Sequence, residues 1–144
     1  MPTSTTPPVW FHFLHPVALA DRKALKAFIA KMFRNEQTEL GEVHFIFCSD
    51  AYLLEINRQY LKHDYFTDII TFNLAEKGEP VRGEIFISVE RVKDNAKTLQ
   101  VSFKEEIHRV IFHGVLHLCG YKDKKPSDIR QMRSKEDEYL AQYF

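Results

Sequence analysis

His113 and His117 stand four residues apart within an apolar run, Val110-Ile111-Phe112-His113-Gly114-Val115-Leu116-His117-Leu118. On a helix each residue turns by about 100°, so the two imidazoles lie about 40° apart on one face, one turn apart. Neutral imidazoles so placed can converge on a single metal ion. The run is apolar nearly all round, which marks a core helix. Burying imidazoles there costs free energy unless their nitrogens find partners. A lone histidine in such a run reads best as a core residue bonded to a carbonyl. The i,i+4 pair shifts the reading to metal.

Two ligands do not make a site. A catalytic zinc site usually has three protein ligands and an open position for water. The third is expected from the segment after Gly120, where the chain reverses, and Asp123 is the nearest candidate. Gly114 stands where an HExxH protease helix carries its glutamate base, so metalloprotease chemistry is not expected. Cys119 lies about 200° around the helix from His117 and is assigned to the core. His12, His15, His44 and His108 have no ligand spacing to one another and are read as structural.

These residues need elements to position them. Val9 to Leu14 has strand character, and helical periodicity begins at Leu19, with Leu25, Phe28, Ile29, Met32 and Phe33 as the apolar stripe to about Asn35. Val43 to Cys48 alternates as a strand. Ser49 is a cap for a helix to about Tyr60. Thr67 to Leu74 and Gly83 to Ser88 read as two strands, joined across Lys77-Gly78-Glu79-Pro80 and expected to pair antiparallel. Val89 to Leu99 is helical. Ser102 with Glu105 forms a capping-box pattern for the histidine helix, which is expected to reach Cys119 with Gly120 as its left-handed cap. Ser127 is expected to begin a last charged helix through Met132 and Leu140. The predicted fold is α+β: a small mixed four-stranded sheet packed with about five helices, the metal site at the end of a buried one.

The 144 residues are 44% apolar, with 20 basic and 20 acidic side chains. That length and composition fit one globular domain, residues 9–144, behind a Thr- and Pro-rich leader at 1–8. The charge balance leaves no bulk positive field for nucleic acid, so such a contact must use a local patch. Two isolated cysteines, no basic start to the apolar Val9–Ala20 stretch and no run of about 20 apolar residues together predict a soluble cytoplasmic protein.

His113-Gly114-Val115-Leu116-His117-Leu118-Cys119-Gly120-Tyr121 resembles the HGxLHLxGYDH signature of the YbeY family, metal-dependent endoribonucleases also called rRNA maturation factors. Asn57-Arg58-Gln59-Tyr60 followed by Thr67-Asp68-Ile69-Ile70-Thr71-Phe72 resembles its N-x-x-Y…T-D-V-L-S-F block. Gly83-Glu84-Ile85-Phe86-Ile87 resembles its G-D-I-x-I strand, and Met132 with Glu136 its acidic C-terminal helix. The resemblance implies one divalent ion, expected to be zinc, and a third ligand where Asp123 stands in place of the family histidine. A one-residue shift would put Lys124 there and leave two ligands; the ungapped alignment is preferred. Leu61 replaces the arginine that the resemblance implies after Tyr60, with Arg58, Lys62 or His63 as substitute cations.

The implied activity is single-strand-directed, metal-dependent RNA cleavage in small-subunit rRNA processing. The implied partners are rRNA and small ribosomal subunit proteins, with no membrane and no nucleotide cofactor. In that chemistry the ion acidifies bound water and polarises a phosphoryl oxygen, while Arg58 or Lys62 offsets the developing charge. Asp68 or Asp123 is a candidate base; either carboxylate could equally serve as a cap. Lys122, Lys124 and Lys125 could meet phosphates or form a solvated loop. The competing reading is a ribosome assembly factor with a structural or vestigial metal site, and a metallohydrolase with another substrate is the third. RNA cleavage abolished by His117→Ala is the outcome expected of the nuclease. An assembly factor would show no cleavage to lose.

Overall fold

Strand β1 (Val9–Phe13) lies beside β2 (Leu40–Cys48), the two running parallel with Phe11 opposite Phe45. The computed structural model describes residues 6–144. Most of the expected leader, residues 1–5, lies outside them. Helix α1 (Arg22–Asn35) joins the two strands, and α2 (Asp50–Leu61) leads from β2 into β3 (Ile69–Asn73). Strand β4 (Val81–Ser88) passes directly into α3 (Val89–Leu99), followed by α4 (Phe103–Leu118) and α5 (Pro126–Tyr143). The sheet order is β1-β2-β4-β3, and only β3 runs antiparallel, against β4. The mixed four-stranded α+β architecture and the antiparallel pairing of the last two strands match expectation.

Alternation decides which face of the sheet is covered. Val43, Phe45 and Phe47 of β2, with Ile85 and Ile87 of β4, are fully buried against Leu25, Ile29, Met32, Ile111, Phe112 and Val115. On the other face α2 covers only one corner, where Leu53 packs with Cys48 and Ile70. Both cysteines are free thiols, and burial pushes their pKa up, Cys48 to about 12 and Cys119 to about 11.

Several boundaries differ from the sequence reading. Helix α1 starts at Arg22 rather than Leu19, because Asp21 before it is left-handed (φ 50°) and its side chain caps nothing. Thr67 and Asp68 precede β3 instead of opening it. Helix α5 starts at Pro126, one residue before Ser127: proline has no N–H to leave unbonded and its fixed φ suits the first helical turn. Helix α4 ends at Leu118, with Cys119 as its cap and Gly120 left-handed (φ 103°) beyond it. No helix among the described residues is long and apolar enough to cross a membrane.

Two glycines set the height of α4 above the sheet. A Cβ on Gly114 would stand 2.9 Å and 3.0 Å from Ile85 side-chain atoms and 3.1 Å from Ile69. A Cβ on Gly83 would stand 2.6 Å from Leu118. Alanine at 114 would gain about 1 kcal/mol of helix propensity, but overpacking a rigid core typically costs about 1–3 kcal/mol. Ile85 is stiff, β-branched and fully buried, so the clash dominates. Gly114→Ala is therefore expected to destabilise the chain by up to about 2 kcal/mol net, measured by urea unfolding with an unchanged slope.

Candidate metal centre

The polar residues of α4 form one stripe along an otherwise apolar helix. Ser102 caps its start by accepting from the Glu105 N–H at 3.0 Å, and Glu106, Arg109, His113 and His117 follow at steps of three and four. After Leu118 the chain turns back: the Gly120 N–H donates to the His117 carbonyl and the Tyr121 N–H to that of Leu116, both at 3.1 Å. Tyr121 donates its hydroxyl to Glu36 at 2.7 Å, and Tyr139 of α5 donates to the other oxygen of the same carboxylate. Glu36 thus ties the end of α1 to both the returning loop and α5.

The return brings Asp123 against His113, with Oδ2 3.3 Å from Nε2. Two donors each about 2.0–2.2 Å from one tetrahedral zinc stand about 3.3–3.5 Å apart. His113 and Asp123 therefore already have the mutual spacing of two ligands on one ion. His113 Nδ1 donates to Glu136 at 2.7 Å, which fixes the ring and leaves Nε2 facing Asp123. Glu136 is 4% exposed and is held in turn by Arg109, which also pairs with Asp137. Burial lowers the His113 pKa, but the Glu136 hydrogen bond and the charges of Glu136, Asp123 and Asp68 outweigh it, and the net shift is upward.

His117 is exposed and lines the same groove as His113 and Asp123. Among the described residues no three His, Cys, Asp or Glu side chains stand grouped as a finished ligand set. The donor set nonetheless fits a divalent ion: two imidazoles and a carboxylate, one imidazole braced by a buried acid in the arrangement typical of metal-binding histidines.

Two lobes flank this centre and share Thr67, Ile69, His113 and Asp123. The inner lobe, about 260 Å³, is lined further by Asp68, Glu106, Arg109, Arg133 and Glu136. Asp68 is fixed by its backbone carbonyl, which accepts from Ser88 N–H at 2.9 Å, and by Asn95, whose amide donates to Oδ2 at 3.3 Å. Burial raises the Asp68 pKa against the lowering effect of His113. Glu106 is 4% exposed, with one oxygen that has no hydrogen-bond partner, and burial raises its pKa too. The outer lobe, about 370 Å³, is walled by Asn57, Leu61, His63, Tyr65, Ile70, Thr71, His117 and Lys124.

Arg58 stands elsewhere. It is half-exposed, pairs with Asp64 at 2.5 Å and is absent from the walls of both lobes. Of the loop lysines, Lys124 reaches the outer lobe. Sequence reasoning missed Glu106 and Arg109, although their positions seven and four residues before His113 were a readable polar stripe on a core helix. It noted Glu136 only as part of a resemblance, because no spacing links α5 to α4. It also missed a pairing of His12 with His44, whose ring nitrogens are 2.8 Å apart across β1 and β2. Their separation of 32 residues hides a contact that parallel pairing creates.

A family model described as Endoribonuclease YbeY matches residues 17–144. An Endoribonuclease YbeY of Flavobacterium johnsoniae is 47% identical over 133 residues, 92% of this chain and 95% of that protein. One of Flavobacterium psychrophilum is 52% identical over 112 residues, 78% of this chain and 79% of that protein. The solution structure of TM1509 from Thermotoga maritima superposes with a TM-score of 0.64 at 26% identity, covering 92% of this chain and 88% of that one.

Glu136→Gln keeps the shape of the brace and removes its charge. It is expected to weaken metal affinity about 10- to 100-fold, as losses of such braces typically do, measured by competition with a chromophoric chelator. In the metal-free chain a raised histidine pKa is worth most below the unfolded value, near 6.5, and its contribution disappears as pH rises through the folded value. Thermal unfolding of the metal-free chain should accordingly show a stabilisation on going from pH 8 to pH 6 that shrinks in Glu136→Gln.

Proposed function

Because this chain belongs to the YbeY endoribonuclease family, we propose that it cleaves RNA phosphodiester bonds at a divalent-metal centre held by His113, His117 and Asp123. The observation that carries the ligand assignment is the 3.3 Å separation of His113 Nε2 and Asp123 Oδ2, the spacing of two donors on one tetrahedral ion. The alignment that places Lys124 in the ligand position has no such support. A bound divalent ion at these residues supplies an acidified water and polarises a phosphoryl oxygen.

The chain's own residues do the rest. Glu136 and Arg109 hold the His113 ring in the tautomer that presents Nε2. Asp68, half-buried beside His113 with its pKa raised by burial, would accept the proton of an attacking water. Lys124 on the groove wall meets phosphate charge. Arg58 contributes through Asp64 and the loop that contains it. Zinc is the expected metal, and the proposed substrate is unpaired rRNA during small-subunit maturation in the cytoplasm, with ribosomal proteins as partners.

The test is metal content and cleavage in wild type, His117→Ala and Asp123→Ala, purified without chelator or affinity-column metal. About one zinc per chain is expected in wild type, reduced in both variants together with cleavage of an unpaired RNA. Metal retained in Asp123→Ala would overturn the ligand set. A metal-free wild type that binds ribosomal subunits and cleaves nothing would replace the nuclease with an assembly factor.

A further inference from the structure

The outer lobe has a wall that metal chemistry does not require. The turn after α2 exposes Tyr65 (56% exposed) together with His63, yet neither ring hangs loosely. Their planes lie within 21° of parallel with centroids 5.1 Å apart, and a hydrogen bond of 2.9 Å joins the Tyr65 hydroxyl to His63 Nδ1. The backbone beneath is pinned to α2. Lys62 is left-handed (φ 56°), the His63 N–H donates to the Asn57 carbonyl at 3.1 Å, and the fully buried Asn57 amide donates to the Tyr65 carbonyl at 2.9 Å. Arg58 grips Asp64 between them at 2.5 Å. Exposed loop rings are normally free to turn, and aligning them costs conformational entropy. Here that cost is met in folding, and the aligned rings border a groove continuous with His113, His117 and Asp123.

The other surfaces of the lobe point to one class of occupant. Leu61, Ile69 and Ile70 offer apolar contact, Thr71 a hydroxyl and Lys124 a cation. A flat heteroaromatic ring with polar edges and an attached phosphate uses all of these. We propose that the outer lobe is a nucleobase subsite, in which Tyr65, braced by His63, stacks on the unpaired base adjoining the phosphate at the metal centre. The inference rests on the RNA-cleaving reading and names a determinant of substrate choice within it. A base inside a duplex cannot present its face to Tyr65, so the subsite accepts only a nucleotide that is unpaired or splayed from its neighbours.

The test uses the chain stripped of metal with chelator, so that binding is read without cleavage. Anisotropy is measured with a labelled, unstructured oligoribonucleotide and with a set in which each position in turn lacks its base. Tyr65→Ala should weaken binding of the intact strand about ten-fold, and Tyr65→Phe, which keeps the ring, should retain most of it. One abasic position should weaken wild type by a similar factor and add nothing further in Tyr65→Ala. The proposal is overturned if Tyr65→Ala binds like wild type, if no abasic position stands out in wild type, or if the two losses multiply at every position. A wild type that neither binds nor, with metal, cleaves RNA would overturn the functional reading as well. A wild type that does both while Tyr65 proves irrelevant would overturn the subsite alone.

Discussion

Helix α4 must lie almost in contact with the sheet, and Gly114 is what permits it. The residue that would carry a glutamate base in an HExxH helix is here the one whose missing side chain leaves room for Ile85 and Ile69. Because interiors are packed at crystal density, a helix seated this closely has little freedom to roll or slide. The positions of His113 and His117 are thereby fixed relative to β3 and β4. Everything polar in the centre is then arranged around that rigid helix: the loop that returns Asp123, α5 that supplies Glu136, and the head of β3 that supplies Asp68.

The second constraint is electrostatic. His113, Arg109 and Glu136 are mutually dependent, since each would be costly to bury without the others. Arg109 balances Glu136, and Glu136 orients the imidazole, so the carboxylate would act on the proposed metal position without touching it. The raised pKa of His113 has the same origin, so a proton would compete with the proposed metal ion for the ring. Lowering the pH should favour the proton.

The two lobes divide the remaining work. The inner one is narrow, lined with carboxylates and guanidiniums, and suited to holding water and protons. The outer one is wider, partly apolar and bordered by the aligned rings of His63 and Tyr65, and suited to holding substrate. The turn that carries those rings owes its shape to Asn57, buried under it, and to Arg58 paired with Asp64. The departure at Leu61, where the family resemblance implies arginine, falls on the wall of this same lobe. Leu61 makes that stretch of wall apolar where an arginine would bring a charge.

Much was legible in the sequence, for local physical reasons. Helical spacing paired His113 with His117, alternation put Val43, Phe45 and Phe47 on one face, and capping chemistry at Ser49 and Ser102 marked two helix starts. The starts expected at Leu19, Thr67 and Ser127 were off by one to three residues: Asp21 turns left-handed before α1, Thr67 and Asp68 precede β3, and Pro126 suits the first turn of α5. The contacts between distant residues were not legible, because spacing along one element says nothing of what another element brings to it. His12 beside His44 depends on β1 and β2 running parallel. The Glu136 brace depends on α5 crossing α4, and the 3.3 Å approach of Asp123 depends on a loop tied down by Glu36, the cap of α1. Residue types and their spacing along one element specify which side chains can hold an ion. Which of them face one another follows from packing, since that requires chain segments up to about a hundred residues apart to meet at van der Waals distance.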